Sequence, residues 1–359
     1  GLGHFYAGRY AAGVFWASLI PLSLGLVLNV WSGLTVGHAV LLAGFGLVYY
    51  LARLDAGRGY KEKLTPCQAA CPSLLNVPDY IALVRGGRVL EALALVHDRL
   101  PFAAFCGRAC HHPCEQKCVR NEFGAPISIM AIKRYVSDLG YAARIAPSSE
   151  VSEGVHSLRV AVIGAGPAGL SAANTLARLG CRVTLYDANE EPGGMIRYAG
   201  AEFRIPFEAG VADVRTILER DVRFEGGKRL GRDFTFADIE RQGYEALLLA
   251  VGTGESIRLP GSGAEKEGFH DALAFLTSAR LGNPCRTNGK LAVIGGGNVA
   301  IDAARVAIRL GAQDVTVVCL ESREAMPAFP REVEDAIAEG IRILSSTAIK
   351  KFTVRDGRV

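Results

Sequence analysis

The sequence lacks a cluster of basic residues, and its charges of opposite sign are close to balance. Lys and Arg number 40 and Asp and Glu 36, spread along 359 residues with a net charge of +4. Nothing in this distribution requires a nucleic-acid partner, and none is expected. Half of the residues are hydrophobic, which excludes an intrinsically disordered chain, and the length predicts two to three domains.

Charged residues are also missing from a long stretch near the start of the chain. None occurs from Ala11 to Trp31, and a second apolar run extends from Leu34 to Ala52. Each run is long enough to cross a hydrocarbon core of roughly 30 Å, so residues 1–60 are predicted to form a two-helix transmembrane hairpin. The alternative is a buried helical hairpin of a soluble domain. Basic residues flank the hairpin at Arg9, Arg53, Arg58, Lys61 and Lys63. The positive-inside rule then predicts an inner (cytoplasmic) membrane location, with the remaining domains facing the cytoplasm.

The nine cysteines are unevenly distributed, and six of them fall within residues 61–150. They are spaced as C-Q-A-A-C-P and C-G-R-A-C-H-H-P-C-E-Q-K-C, at Cys67, Cys71, Cys106, Cys110, Cys114 and Cys118. Thiolates gathered this densely need a soft cation, and a Cys-Pro pair is typical of ferredoxin-like loops. The pattern predicts a small all-α domain holding one or two [4Fe-4S] clusters, with helices over 77–84, 89–97 and 127–139. Zinc and disulfides are the alternatives, although the three-residue spacing is unusual for structural zinc.

A first nucleotide-binding unit is predicted in residues 151–255. The apolar run 158–163 precedes a glycine turn, a helical pattern ends at Gly180, and a strand over 182–186 leads to an acid. In such units the glycines permit a tight turn, close approach of a pyrophosphate and helix–sheet packing, and the acid accepts a ribose hydroxyl. The predicted binding residues are Gly164, Gly166, Pro167, Ala168, Gly169 and Asp187.

The residues that follow point to FAD as the dinucleotide of this unit. A Gly-Gly turn at Gly193 and Gly194, after Glu191, is typical of flavoproteins that bind two dinucleotides. Residues 246–251 are predicted to form another buried strand. Gly252 and Thr253 then resemble the turn that leads from an FAD domain into an inserted NAD(P) domain.

A second unit of the same kind is predicted in residues 256–359. A strand over 290–294, a second glycine turn, a helix over 301–310 and a strand over 315–318 follow one another. Its predicted binding residues are Gly295, Gly296, Gly297, Asn298, Val299, Ala300 and Asp302. Two such units indicate FAD in one and NADH or NADPH in the other. The predicted fold class is α/β, with two Rossmann-type units preceded by the iron–sulfur domain and the hairpin.

The order of these motifs resembles the glutamate synthase small subunit family. The resemblance is carried by VIGAGPAGLSAANTLARLG, EPGGM, VIGGGNVAIDAARVAIRLGA and S-R-E-A-M-P-A, and it covers about residues 64–359. The chain is also similar to the N-terminal half of dihydropyrimidine dehydrogenase and to ferredoxin:NADP oxidoreductase large subunits. The resemblance implies that NAD(P)H reduces FAD and that electrons leave one at a time through [4Fe-4S] clusters to a partner.

The cysteines depart from the family pattern. The family usually has a C-x2-C pair upstream of the first two cysteines, where this sequence has Gly59 and Glu62. One of the two family clusters therefore lacks half of its usual ligands. By resemblance, one cluster takes Cys71, Cys110 and Cys114 with a non-cysteine ligand, and the depleted one takes Cys67 and Cys118.

The second departure concerns the nicotinamide nucleotide. Where the family has a Tyr-Arg-Arg-like triplet that grips the 2′-phosphate of NADPH, this chain has Cys319, Leu320 and Glu321. A carboxylate repels that phosphate and accepts hydrogen bonds from ribose hydroxyls, so NADH is expected over NADPH. Arg323, close by in sequence, acts against this preference.

Taken together, these features predict an oxidoreductase subunit that passes electrons from NAD(P)H through FAD to [4Fe-4S] clusters and on to a partner protein or membrane acceptor. No catalytic acid, base or nucleophile is expected, because hydride transfer between stacked cofactors requires none. The alternative is a non-catalytic, membrane-anchored scaffold or redox sensor. A dithiol enzyme of the thioredoxin-reductase type is excluded, since the nucleotide units contain no C-x2-C. A chain that starts at Gly1 and stops before the family's return to the FAD domain is expected to be a fragment.

Overall fold

The structure is a computed structural model that describes residues 64–143, 158–254, 256, 268–283, 285, 287 and 289–353. The described residues belong to two compact units, one containing residues 64–78 and 113–127 and the other residues 79–112 and 128–353. The predicted transmembrane hairpin, residues 1–60, lies outside the described residues. No helix within the described ranges is both long enough and apolar enough to cross a bilayer.

The cysteine-rich region is helical, as its sequence predicts. Its elements are α1 (Pro66–Ala70), α2 (Val77–Arg85), α3 (Val89–Arg99), α4 (Ala103–Ala109), α5 (Pro113–Gln116), the 3₁₀ turn Val119–Glu122 and α6 (Ile129–Ala142). Close packing of α6 against α3 and α4 depends on two glycines. A Cβ at Gly107 would lie 2.8 Å from the Cα of Arg134, and one at Gly140 would lie 2.1 Å from Cδ2 of Leu93. The absence of side chains at these two positions lets the helices approach each other.

The first nucleotide-binding unit is built around a four-stranded parallel sheet. Its elements are β1 (Arg159–Ile163), α7 (Pro167–Arg178), β2 (Arg182–Tyr186), α8 (Met195–Tyr198), α9 (Phe207–Leu218), β3 (Val222–Glu225), α10 (Phe236–Arg241) and β4 (Ala246–Leu249). The strand order is β3-β2-β1-β4. In this register Val160 of β1 lies between Val183 of β2 and Ala246 of β4. The glycine turn therefore leaves the sheet from an inner strand.

The core of this sheet explains why its inner strands are mostly apolar after their first residue. Parallel strands covered on both faces need hydrophobic residues at successive positions, and Val160 to Ile163 are all buried. Phe102, which precedes α4, belongs to the same core. The prediction of a buried strand over 246–251 is wrong in one respect. The strand is present at Ala246–Leu249, but all four residues are exposed, and β4 lies at an edge of the described sheet.

The second nucleotide-binding unit has a three-stranded parallel sheet. Its elements are α11 (Ala272–Arg280), β5 (Gly289–Ile294), α12 (Asn298–Arg309), β6 (Ala312–Val318), α13 (Pro330–Ala338) and β7 (Arg342–Leu344). The strand order is β5-β6-β7. Helix α12 begins three residues before the predicted start, because Gly297 is its N-cap, and β6 also begins three residues earlier, at Ala312. The predicted α/β class with parallel sheets is confirmed, while the domain boundaries at 60, 150 and 255 stay predictions.

Candidate functional site

The first glycine turn joins β1 to α7, and two of its glycines are required by the protein itself. Gly164 has φ +106°, and a Cβ there would lie 2.2 Å from the carbonyl oxygen of Ala250. A Cβ at Gly169 would lie 1.8 Å from the carbonyl oxygen of Gly164. The turn and the contact of α7 with the sheet therefore both exclude larger residues, as predicted for these positions.

Gly166 differs, because nothing in the described chain requires a glycine there. It has φ −79°, which any residue can adopt. A Cβ at this position would have one described neighbour beyond the adjacent residues, the Cα of Gly194 at 3.9 Å. The missing side chain leaves open space at the start of α7, next to the exposed residues Pro167 and Ala168. This cradle fits the pyrophosphate of a dinucleotide, which needs close approach to the backbone at a helix N-terminus.

The acid at the end of β2 is bound to the turn it was predicted to serve. One carboxylate oxygen of Asp187 accepts the backbone N–H of Ala165 at 2.7 Å, and the other accepts the backbone and side-chain N–H groups of Asn189 at 2.8 and 2.9 Å. A carboxylate has about four acceptor positions, so one remains for a ribose hydroxyl. The predicted ribose contact stays a prediction.

The Gly-Gly turn packs directly on the first glycine turn. The N–H of Gly193 donates to the carbonyl oxygen of Ala165 at 2.8 Å. Gly194 has φ +52°, and a Cβ there would lie 2.6 Å from the Cα of Gly166. The structure thus brings together the two segments that the sequence assigned to FAD. Gly252, with φ +70°, and Thr253 lie beyond β4, in a turn whose residues are exposed.

The second glycine turn joins β5 to α12 in the same manner. Gly295 has φ +128°, and its N–H donates to the carbonyl oxygen of Val318 at 2.9 Å. Apart from Gly297 and the adjacent residues, no described atom lies within 4 Å of a Cβ placed on Gly297, so this turn also offers an open cradle. A Cβ on Gly296 would lie 3.0 Å from Oε2 of Glu321. The Glu321 carboxylate is therefore next to the turn, as predicted.

The remaining predicted residues of this unit are placed differently. Val299 is exposed and Ala300 is buried, both in the first turn of α12. Asp302 forms an ion pair with Arg204, at 2.5 Å, and burial raises the pKa of its carboxyl group. Arg323 donates to the sulfur of Met326, at 3.9 Å. Neither of these two charged side chains has a described hydrogen bond to the glycine turn.

The six predicted metal ligands divide between the two compact units. Cys67, Cys71, Cys114 and Cys118 belong to the smaller unit, where α1 packs against α5, and Cys106 and Cys110 belong to the larger one. None of the six forms a disulfide. Within the described ranges, no three Cys, His, Asp or Glu side chains lie close enough to hold one metal ion. Cysteine thiols that form no disulfide and lie on short helices and turns are suitable ligands for an iron–sulfur cluster.

The sequence did not reveal a buried hydrogen-bond network that holds α4 in place. Asp213 of α9 is fully buried and accepts the N–H groups of Ala104 and Phe105 at 3.0 and 2.8 Å. The hydroxyl of Tyr141 donates to the same carboxylate and contacts Nε2 of His97 at 3.1 Å. The available sequence signal was that Asp213 falls on the apolar face of an amphipathic helix, which indicates a buried acid. This network positions the helix that carries Cys106.

The pKa values of the groups in this network follow from their burial. Burial raises the pKa of Asp213 to about 6, although its hydrogen bonds act in the opposite direction. Burial lowers the pKa of His97 to about 4, and the charge of Arg220 adds to that effect. Burial also raises the pKa of Tyr141, so its hydroxyl stays protonated. At neutral pH the network therefore consists of the neutral imidazole of His97, the phenol of Tyr141 and the carboxylate of Asp213.

Comparison with known families identifies the nucleotide-binding part. The model of the pyridine nucleotide-disulphide oxidoreductase family matches residues 158–359, more than half of the chain. The chain belongs to this family. Residues 47–145 match dihydropyrimidine dehydrogenase domain II, a 4Fe-4S cluster domain. The two matches indicate the nucleotide-binding part of an oxidoreductase family and a [4Fe-4S] domain, with FAD, NAD(P)H and a [4Fe-4S] cluster as the cofactors.

Three curated relatives are matched over only part of their own length. It is 36% identical over 310 residues to the NADP(+)-dependent formate dehydrogenase subunit beta of Moorella thermoacetica, covering 80% of this chain and 44% of that one. It is 36% identical over 282 residues to the NADPH-Fe(3+) oxidoreductase subunit beta of Geobacter sulfurreducens, covering 77% and 42%. It is 33% identical over 291 residues to the glutamate synthase [NADPH] small chain of Escherichia coli, covering 77% and 61%. The resemblance to the last family is confirmed, and the chain spans under half of the first two relatives.

Proposed function

We propose that this protein is an oxidoreductase subunit that passes electrons from NAD(P)H through FAD to [4Fe-4S] clusters and on to a redox partner. The observation that carries the proposal is the pair of open glycine cradles, one in each nucleotide-binding unit. Gly166 and Gly297 both have ordinary backbone angles, and a Cβ at either would meet almost nothing in the described chain. A glycine that the protein does not need for its own fold is explained by a ligand that approaches the backbone.

The protein's part in this reaction is to bind and orient. When bound, the nicotinamide and the flavin supply hydride donor and acceptor, and the cluster supplies one-electron transfer. The first turns of α7 and α12 present backbone N–H groups to the two pyrophosphates, with the N-caps at Gly166 and Gly297. Asp187 and Glu321 are proposed to accept ribose hydroxyls. No side chain is assigned as an acid, a base or a nucleophile.

The ligand assignment of the iron–sulfur region is likewise a proposal. Cys71, Cys110 and Cys114 are proposed for one cluster, with Cys67 and Cys118 in a second ligand set. Cys106 completes the group of six candidate thiols. The support is the chemistry of these six undisulfided cysteines and the match of their segment to a 4Fe-4S domain.

The electron acceptor is proposed to be a partner protein or a membrane component. Two relatives are beta subunits, of a formate dehydrogenase and of an Fe(3+) oxidoreductase, which supports a partner protein. The uncharged run from Ala11 to Trp31 supports a membrane hairpin, with the cofactor-binding domains on the cytoplasmic side.

The first test is an anaerobic visible spectrum of the complete protein, purified in detergent, before and after addition of NADH and then NADPH. Flavin bands with a broad iron–sulfur shoulder, bleached by a nucleotide, are expected. Bands that neither nucleotide bleaches contradict the proposal and favour the scaffold or sensor. Metal analysis that finds zinc in place of iron contradicts the cluster assignment.

Within this function we propose a preference for NADH, carried by Glu321. Its Oε2 lies beside the Gly296 turn, where a 2′-phosphate would meet a second negative charge. Glu321→Arg replaces repulsion by a charge-assisted hydrogen bond, worth roughly 1.5–3 kcal/mol. The ratio of kcat/KM for NADPH to that for NADH should therefore rise at least about tenfold.

Glu324→Arg is the matched control, because it makes the same change in charge at an exposed position three residues away. Its effect on the cofactor ratio should stay below about threefold, since exposed charges are screened by water and salt. Equal ratios for the wild-type protein, or equal shifts in the two variants, would show that Glu321 does not select the cofactor.

A further inference from the structure

The second glycine turn is tied to a loop that lies between β6 and α13. The N–H of Ala328 donates to the carbonyl oxygen of Gly296 at 3.0 Å, and the N–H of Phe329 donates to Oδ1 of Asn298 at 3.0 Å. Both acceptors belong to the turn proposed to hold the nicotinamide nucleotide. The position of Phe329 is therefore set by the geometry of this turn.

The ring of Phe329 stacks on a residue of the cysteine-rich segment. The ring centroids of His111 and Phe329 are 4.5 Å apart, and their planes differ by 9°. Both residues belong to the larger compact unit, and both are exposed. The stack is therefore a contact between two exposed rings, one from each loop.

His111 lies in a tight loop directly after Cys110. The N–H of His112 donates to the Cys110 sulfur at 3.3 Å, and Nδ1 of His112 lies 3.0 Å from the Cys110 carbonyl oxygen. His112 has φ +44°, an uncommon angle for a residue with a side chain. In a loop held this closely, a displacement of His111 moves the N–H group that contacts the sulfur.

We propose that the His111–Phe329 stack is a positioning contact that couples nicotinamide nucleotide binding to the geometry of the Cys110 loop. The inference rests on the proposed function, since it takes Gly295–Asn298 as the nucleotide turn and Cys110 as a cluster ligand. The two states are the stacked and the unstacked pair. A nucleotide distinguishes them because it contacts the turn that holds Phe329, and a ligand shifts an equilibrium only through such differential contact.

Coupling of this kind acts equally in both directions. If nucleotide binding stabilises the stacked loop, then an ordered loop must tighten nucleotide binding by the same factor. One aromatic pair corresponds to about two- to tenfold in affinity. His111 and Phe329 touch neither nucleotide nor iron in this assignment, so they act through Asn298 and Cys110.

The test compares His111→Ala, His111→Phe and Phe329→Leu with the wild-type protein, using NADP⁺ and NAD⁺ as probes because neither donates a hydride. The phenylalanine variant keeps a flat ring and serves as the conservative rescue. The first readout is amide exchange of residues 106–112, with and without nucleotide, which needs no cluster. The second is the EPR spectrum of the dithionite-reduced cluster with and without nucleotide. Flavin content and circular dichroism check that each variant is folded.

In the wild-type protein, nucleotide should slow exchange in residues 106–112 about two- to tenfold and change the EPR line shape. His111→Ala and Phe329→Leu should lose both responses, and His111→Phe should keep them. Responses that persist in His111→Ala, or a wild-type protein that binds nucleotide without either response, overturn the inference while leaving the proposed function intact. Absence of nucleotide binding or of iron in the wild-type protein refutes the proposed function, and the inference fails with it.

Discussion

Replacement of Asp213 by asparagine should change how the stability of α4 depends on pH. Asp213 is fully buried, and its pKa is raised from 3.8 to about 6. The folded protein therefore holds a proton between pH 4 and 6 that the unfolded chain releases, so this group makes stability fall as the pH rises through that range. A difference of about two pH units, at roughly 1.4 kcal/mol each, amounts to about 3 kcal/mol.

His97 acts in the opposite direction over nearly the same range. Its pKa is lowered from 6.5 to about 4, so the unfolded chain holds a proton that the folded protein does not. This group makes stability rise with pH between about 4 and 6.5, again by about 3 kcal/mol. Because the two contributions are opposite in sign and similar in size over nearly the same pH range, they nearly cancel. Both residues contact Tyr141, so the wild-type α4 should show little dependence on pH from this network.

The variants separate the two contributions. With Asp213→Asn only the histidine contribution remains. Between pH 4 and 6.5 the opening free energy of α4 should therefore rise by about 3 kcal/mol more than it does in the wild-type protein. With His97→Gln the acid contribution remains, and the slope should change by a similar amount in the downward direction. All other titrating groups are common to the three proteins and drop out of the comparison.

The measurement is amide exchange of residues 103–109, corrected for intrinsic exchange rates, at several pH values. The proteins are compared anaerobically in the same cofactor state, with iron content measured at each pH. If all three curves run parallel within about 0.5 kcal/mol, the network does not titrate as its burial requires, and the reasoning is refuted.

Three further outcomes are expected. Gly166→Ala should weaken FAD binding at least about tenfold without loss of stability. The control variant Gly86→Ala, at the end of α2, should leave FAD binding unchanged. Equilibrium titration with FAD measures the affinity of both variants. Gly297→Ala should weaken NAD(P)⁺ binding by a similar factor and spare FAD. Arg305→Leu should destabilise the second unit by about 2–4 kcal/mol in thermal or urea unfolding, against less than about 1 kcal/mol for Arg342→Leu.

The contrasts behind these outcomes come from the geometry. A Cβ at Gly86 would make ordinary contacts of 3.5 Å at the end of a helix, far in sequence from any proposed ligand. Arg305 has a side chain only 9% exposed and pairs with Glu332 at 3.0 Å and Glu339 at 2.7 Å, whereas that of Arg342 is 66% exposed. Undiminished FAD binding by Gly166→Ala, or equal stability losses in the two arginine variants, would contradict the corresponding argument.

Much of the fold was predictable because its signals are local in sequence. Gly164 and Gly295 have the positive φ angles that a strand–turn–helix junction imposes, and the apolar runs of β1 and β5 directly precede them. The three helices predicted in the cysteine-rich region also begin and end within three residues of their predicted bounds. Backbone conformation and periodicity depend on neighbouring residues, so these features can be read from the chain directly.

Other features depended on contacts between residues far apart in the sequence. Asp302 was predicted to bind the cofactor, which stays a prediction, and the structure adds an ion pair with Arg204, 98 residues away. Asp213 caps a helix 108 residues earlier in the chain, and the pattern of its own helix indicates a buried acid without identifying that partner. The apolar run of β4 indicated burial, yet the strand order places it at an edge of the described sheet.

The sequence by itself therefore determined the types of binding turn, the order of the elements and the cofactor classes. Tertiary structure alone decided which charged residues pair with one another, how the six cysteines divide between two compact units, and that Phe329 meets His111. The physical reason is that a glycine's φ angle or a helix's apolar stripe is set within a few residues. The partner of a buried charge or an aromatic ring is instead chosen by packing, which brings together segments that are far apart in the sequence.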